Sequence, residues 1–228
     1  SIADFGLYKS ISKVDYKTVS CVPALPPPHL AIPNGFHFTT EHELPRAWFE
    51  ERDTEYLLQI QKDRVLLNWR KRSESTKYPH FESFSGRFFE RWCEFSDFCK
   101  SHKHETAKVE RVEVTYINHL VEGEDWSTPK DLANMLSPFS FLSRMSGINA
   151  VGMELGFESM GLATRLSIKM GRRNVDNRQV LVAELTAINP LGENAKLSDL
   201  LKLSNNALVE AFLVLITPDA QKKWGRTK

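Results

Sequence analysis

Along Phe81, Phe84, Phe88, Trp92, Phe95 and Phe98 an aromatic ring returns at every third or fourth residue, and this periodicity limits the possible folds more than any other feature of the chain. Residues three and four apart share one face of an α-helix, so the spacing predicts a helix of about five turns with a ring-bearing stripe. Tyr78-Pro79 just before it favours extended backbone, then a proline suited to a first helical turn. Each ring can bury roughly 150–250 Å², so the stripe needs a broad apolar partner such as a concave sheet. The opposite side carries Glu82, Arg87, Glu90, Arg91, Glu94 and Asp97, with Arg87/Glu90 and Arg91/Glu94 three apart. It is expected to be solvated.

The strands to supply that partner are visible as period-two alternation. Tyr56, Leu58 and Ile60 point one way and Leu57, Gln59 and Gln61 the other; after the polar turn at Lys62-Asp63-Arg64, Val65, Leu67 and Trp69 oppose Leu66, Asn68 and Arg70. This is a β-hairpin. Gln59, Gln61, Asn68 and Arg70 fall on its second face, where they form either a polar ligand surface or the wet side of an antiparallel sheet. Val109 to Leu120 is the clearest strand, with Val112, Val114 and Tyr116 toward a core and Arg111, Glu113 and Thr115 outward. Val151 to Phe157, Ala163 to Met170 and Gln179 to Ile188 read as three consecutive strands of a meander.

After Ser198-Asp199 and a second cap-like run, Ser204-Asn205-Asn206, an amphipathic helix is expected over Leu208 to Ile216, with Leu208, Phe212 and Leu215 at spacings of four and three. Ser127-Thr128-Pro129-Lys130-Asp131 has the chemistry of a helix start, as does Thr217-Pro218-Asp219, and SPFSFLSRMSG reads as an irregular connection. Trp224 is expected to anchor the tail. Phe5 to Val14 reads as a short helix, and residues 19–34, which include five prolines, as an extended arm over the surface. Together these elements predict a single α+β domain over residues 1–228. Its mostly antiparallel curved sheet of about six strands packs on two long helices that share one core.

Charge and cysteine usage exclude several functions. Thirty basic against twenty-nine acidic residues leave a net charge of +1, so nucleic acid or an anionic membrane would have to be met by a local patch. The best such patch is the hairpin tip with Arg172, Arg173 and Arg178, although no aromatic residue is interleaved for base stacking. The longest apolar run, Phe212 to Ile216, is far short of the roughly 20 residues a membrane span needs, so no membrane partner is expected. Three cysteines, Cys21, Cys93 and Cys99, without a CxxC pair argue against a disulfide framework and for a reducing cytoplasm.

Catalytic signatures are missing: no nucleophile elbow, phosphate-binding loop, H-E-x-x-H or dinucleotide fingerprint occurs. His102 and His104 make an H-x-H pair, but they follow a helix C-terminus, where cationic groups favour the dipole, and no third ligand is evident. No metal or other cofactor is expected. The residues therefore favour a non-enzymatic binding or interaction protein with a protein partner or self-association. Its surface is Gln59, Gln61, Asn68 and Arg70, or Arg172 and Arg173. The alternatives are a nucleic-acid-binding accessory that uses the basic hairpin, and an unrecognised enzyme.

RAWFE, YLLQIQKDRVLLNWRKR, YPHFESFSGRFFERW, VERVEVTYIN, NNALVEAF and WGR, in that order, resemble a sporadically distributed prokaryotic family of uncharacterised proteins. The resemblance runs from about Val14 to Arg226, and its most specific parts are Gln59 to Trp69, Tyr78-Pro79, Tyr116-Ile117-Asn118 and Trp224-Gly225-Arg226. It implies a shared fold and a patchy gene distribution of the kind seen for defence or toxin-antitoxin loci, by association alone. Members of that family usually begin with an apolar strand, whereas this chain opens at SIADFGLYKS with nothing strand-like before it.

Overall fold

The structure is a computed structural model that describes residues 16–22, 46–51, 55–61, 63–71, 73, 76–102, 107–173, 176–192 and 195–224, with backbone alone for 16–22 and 46. The expectations for Phe5 to Val14, for most of the proline-rich arm and for His104 lie outside the described residues. The chain divides into two compact units, Ser1–Lys108 and Val109–Lys228.

In the first unit, strands β1 (Tyr16–Val22), β2 (Arg46–Glu51), β3 (Tyr56–Ile60) and β4 (Val65–Trp69) form an antiparallel sheet in chain order. Alternation along β2 to β4 puts Ala47, Phe49, Tyr56, Leu58, Ile60 and Leu67 on one face, all buried. Helix α1 (Phe81–Ser101) lays Phe84, Phe88, Phe95 and Phe98 against that face, as the aromatic stripe predicts. Tyr56 stacks on Phe84 with ring centroids 6.3 Å apart. Pro79 lies just ahead of the helix rather than inside its first turn, because the cap is His80, held at φ +62°. At the other end His102 closes the helix with its ring against Phe98 and Nδ1 3.0 Å from the Phe98 carbonyl.

The charged flank of α1 differs from the solvated surface expected of it. Arg91 is 4% exposed, and Arg87 and Arg91 both turn toward Glu51 at the end of β2. Glu51 itself is 1% exposed.

The second unit contains an antiparallel sheet in the order β5 (Arg111–Val121), β8 (Gln179–Pro190), β7 (Leu162–Arg172), β6 (Gly152–Ser159). The last three form the expected meander. Met160 and Gly161, both at positive φ, make the two-residue turn between β6 and β7, which suits the right-handed twist of the flanking strands. Strand β8 then inserts between β7 and β5, pairing Tyr116 with Leu185 and Val114 with Ala187. Helix α2 (Leu197–Leu215) runs unbroken through Ser204-Asn205-Asn206 and packs on this sheet; Leu200, Leu201, Ala207, Leu208, Ala211 and Leu215 are buried. The interface is not wholly apolar: Tyr116 donates to Asn205 Oδ1, Ser159 to the Ala207 carbonyl at 2.8 Å, and Asn189 to the Leu200 carbonyl at 3.3 Å.

Two 3-10 helices, Pro129–Asn134 and Ser137–Arg144, follow β5. The second replaces the irregular connection expected of SPFSFLSRMSG and buries Phe139 and Leu142. Helix α3 (Pro218–Lys223) starts at Thr217, whose hydroxyl accepts from the Ala220 N–H at 3.2 Å, and Trp224 stacks on Phe212. Among the described residues no helix is long and apolar enough to cross a membrane.

The fold is thus α+β with antiparallel sheets. The single sheet of about six strands shared by both helices is corrected to two four-stranded sheets, each with its own long helix. Local alternation marks the strands but carries no information on which of them share hydrogen bonds.

Candidate functional site

On the face of the first sheet turned away from α1, antiparallel register sets Trp48 beside Gln59 and Leu66, and Glu50 beside Leu57 and Asn68. Arg70, just past β4, extends the same row: its N–H donates to the Glu55 carbonyl at 3.0 Å and its guanidinium to Glu50 Oε1 at 2.6 Å. Gln61, just past β3, donates its N–H to the Arg64 carbonyl at 2.9 Å and so closes the hairpin turn. Gln59, Gln61, Asn68 and Arg70 are therefore brought to one side of one sheet, joined by Trp48 and Glu50. Trp48 and Glu50 are absent from the sequence-predicted surface, although the alternation in RAWFEE carries the signal for them.

This face is not an open wet surface. Leu57, Gln59 and Gln61 are 3%, 8% and 7% exposed, so β3 is buried on both sides. The amide oxygen of Gln59 is buried with no hydrogen-bond donor, and so is Nε of Arg70 as an unpaired donor. Asn68 makes only a long contact, Nδ2 to the Leu57 carbonyl at 3.5 Å. An orphaned buried polar atom costs about 1–3 kcal/mol, and most proteins leave few of them. Arg70 and Glu50, half-buried, form the accessible margin of this row.

Across the sheet, Glu51 accepts from Arg87 at 2.6 Å and lies 3.5 Å from Arg91, which also reaches Glu94 at 2.6 Å. The Arg87 guanidinium sits 4.3 Å from the Tyr56 ring centroid. Burial pushes the Tyr56 hydroxyl above the usual tyrosine range, against the opposing pull of Arg87. Among the described residues Glu51 meets both arginines and Glu94 meets Arg91, with Glu90 4.0 Å from Arg91, which makes this a joint between β2 and α1 rather than an anion site.

The second predicted surface lies in the other unit, at the β7–β8 turn, and its cations are already engaged. Arg173 and Arg178 both bind Asp176, Arg178 also binds Glu124 at 2.5 Å, and Arg172 donates to the Asn177 carbonyl at 3.0 Å. Those two guanidinium groups hold the Asp176 carboxyl well below the usual aspartate range. Arg173 and Arg178 are thus held by carboxylates, whereas Arg172 meets a backbone carbonyl.

Elsewhere, a small apolar crevice lies between the second sheet and its helices, lined by residues that include Asn118, Leu136, Pro138, Ile168 and Phe212. Cys93 is exposed and Cys99 buried, both as free thiols. Among the described residues no group of three His, Cys, Asp or Glu side chains converges as metal ligands would. Comparison with protein-family models, curated proteins and solved structures returns no match.

Proposed function

We propose that this chain is a non-catalytic binding protein of the cytoplasm, and that it recognises a protein partner through the polar row Gln59, Asn68, Arg70 and Glu50, with Gln61 at its end. The observation that carries the reading is the buried, donorless amide oxygen of Gln59 beside the half-buried Arg70 guanidinium. Both atoms are covered in the free protein, so a partner reaches them by displacing what covers this face; one that then supplies an N–H to Gln59 and an acceptor to Arg70 Nε recovers the desolvation cost that both carry. Trp48 and Leu66 flank them with apolar surface, a common composition for a recognition site. Free thiols at Cys93 and Cys99 favour a reducing compartment. The family resemblance directs the search for the partner to the product of a neighbouring gene in a defence or toxin-antitoxin type locus.

The test is affinity capture from the native host with the wild type and with Gln59→Leu and Arg70→Met variants, followed by identification of what co-purifies. The proposal expects one polypeptide to be lost from both variants, while the melting temperature holds or rises in Gln59→Leu, which removes an unsatisfied polar atom, and falls at most slightly in Arg70→Met, which also breaks the half-buried pair with Glu50. Capture of the same polypeptides by wild type and variants would sink it. The alternative, a nucleic-acid accessory acting through Arg172 and Arg173, is the weaker reading, since Asp176 and Glu124 already pair with Arg173 and Arg178 and leave Arg172 as the cation of that turn without a carboxylate among the described contacts.

A further inference from the structure

Strand β6 ends the order of the second sheet, and its residues are the least buried of any strand there. Its charged residues are Glu154 and Glu158, and nothing else blunts the edge. Its pairing with β7 runs from Gly152 to Ser159 without a bulge, and it contains no proline or lysine. An edge of this kind presents a row of backbone N–H and C=O groups to another chain, and natural sheets usually guard against that. Among the described residues no strand pairs with its free side.

We propose that a second copy of this chain occupies that edge, with the two β6 strands antiparallel and centred on Leu155, so that two four-stranded sheets become one of eight strands. Directly opposed residues in an antiparallel pair share a face, which leaves few registers to consider. Centring on Leu155 sets Leu155 against Leu155 of the second copy and Met153 against Phe157. They are the apolar residues on the core face of β6, all three left partly open, and Leu155 is 41% exposed. On the other face the same register sets Glu154 against Gly156 and Glu158 against Gly152. The neighbouring register, centred on Gly156, instead sets Glu154 against Glu158, which like-charge repulsion disfavours.

Charge complementarity extends one strand further. Behind Gly156 in the sheet stands Arg165 of β7, and behind Gly152 stands Lys169. A Cβ placed on Gly156 would meet nothing within 4 Å, so no side chain separates an incoming carboxylate from the cation beyond it. Glu154 of the second copy therefore faces Arg165 across Gly156, and Glu158 faces Lys169 across Gly152. Within its own chain Arg165 has only a loose contact, 3.7 Å to Glu184, and Lys169 lies 3.1 Å from Glu154 in a well-exposed pair that the interface would exchange for Glu154–Arg165 and Glu158–Lys169 contacts between copies. The pattern G-x-E-x-G-x-E is thus its own complement when read antiparallel, as a two-fold interface requires.

The experiment is sedimentation of the purified chain with a register-specific crosslink. In a background with Cys21 and Cys93 replaced by serine, Leu155→Cys places two thiols opposite each other at a separation a disulfide can span, whereas Gly156→Cys offsets them by two residues. The expected result is a dimer at tens of micromolar that oxidises to a covalent pair through residue 155 and not through 156. Arg165→Glu with Lys169→Glu should raise the dimer dissociation constant at least about tenfold, and adding Glu154→Lys with Glu158→Lys should bring it back toward the wild-type value. All four side chains are surface groups, and circular dichroism verifies folding of each variant. A monomer at every concentration, preferential crosslinking through residue 156, or indifference to the charge variants overturns the proposal. A monomer whose β6 pairs instead with a different polypeptide overturns it as well.

Discussion

Glu51 and Arg87 meet at 2.6 Å across the junction of β2 and α1, the carboxylate with no exposed side-chain surface and the guanidinium about one-third exposed. The strand and the helix are 36 residues apart in sequence at this contact, and the pair ties one to the other at a defined rotation of the helix.

Removing one partner of this joint should cost far more than removing both. Glu51→Gln leaves the buried Arg91 and the partly buried Arg87 short of a countercharge, and a loss of about 3 kcal/mol is expected, at the low end of the range for broken buried pairs because Glu94 still engages Arg91. Glu51→Met with Arg87→Met should cost less than the sum of the single changes. Urea unfolding midpoints of the single and double variants decide this, and additivity would mean that the two groups do not act as a pair.

Asp131 accepts from the N–H groups of Thr128 at 2.7 Å and Ser127 at 3.0 Å, and these bonds hold its carboxyl below the usual aspartate range. A depressed folded-state pKa contributes stability that is present above the unfolded value of about 3.9 and is lost as pH falls below it toward the folded value. Asp131→Ala should remove a cap worth about 1 kcal/mol at neutral pH and flatten the acid limb of the stability curve below about pH 4. Thermal melts of wild type and variant from pH 7 down to pH 3 read both effects, and parallel curves would argue against the cap.

The β7–β8 turn predicts an unmasking experiment. Wild-type protein should elute from heparin at low salt, because Arg173 and Arg178 are held by Asp176 and Glu124. Asp176→Asn with Glu124→Gln frees them, and retention should shift to clearly higher salt. Arg172→Ala with Arg173→Ala should barely change wild-type elution. Strong wild-type retention that depends on Arg172 and Arg173 would restore the nucleic-acid reading.

Thiol chemistry should separate the two cysteines of α1. Burial pushes the Cys99 thiol up and covers it, whereas Cys93 is exposed. Alkylation of the native protein at pH 8 followed by peptide mass analysis should find Cys93 labelled, and Cys99 labelled only as the protein unfolds. Equal rates would show that α1 does not hold its ring-bearing face closed.

Much of this fold was legible because one-sided burial leaves a local imprint. The three-and-four spacing of Phe84, Phe88, Phe95 and Phe98 marks α1, and the alternation of Val112 and Val114 with Arg111 and Glu113 marks β5, since each pattern needs only neighbouring residues to be read. The candidate site was legible in its members on β3 and β4 but not in its setting. Gln59 and Asn68 share a face by parity, yet nothing in the hairpin announces that the face is buried or that Arg70 reaches Glu50, 20 residues earlier.

Order along the chain and periodicity within it were enough to specify β3 to β8, the aromatic helix, the second half of α2, the capped starts at Thr128 and Thr217 and the anchoring of Trp224, but not β1, whose end falls where the proline-rich arm was expected to begin. Pairing was another matter: insertion of β8 between β5 and β7, division into two sheets, capture of Arg91 by Glu51 and neutralisation of Arg178 by Glu124 all join residues far apart in sequence. Such contacts depend on which distant surfaces exclude water from each other, and amphipathic pattern carries the strength of that tendency without its address.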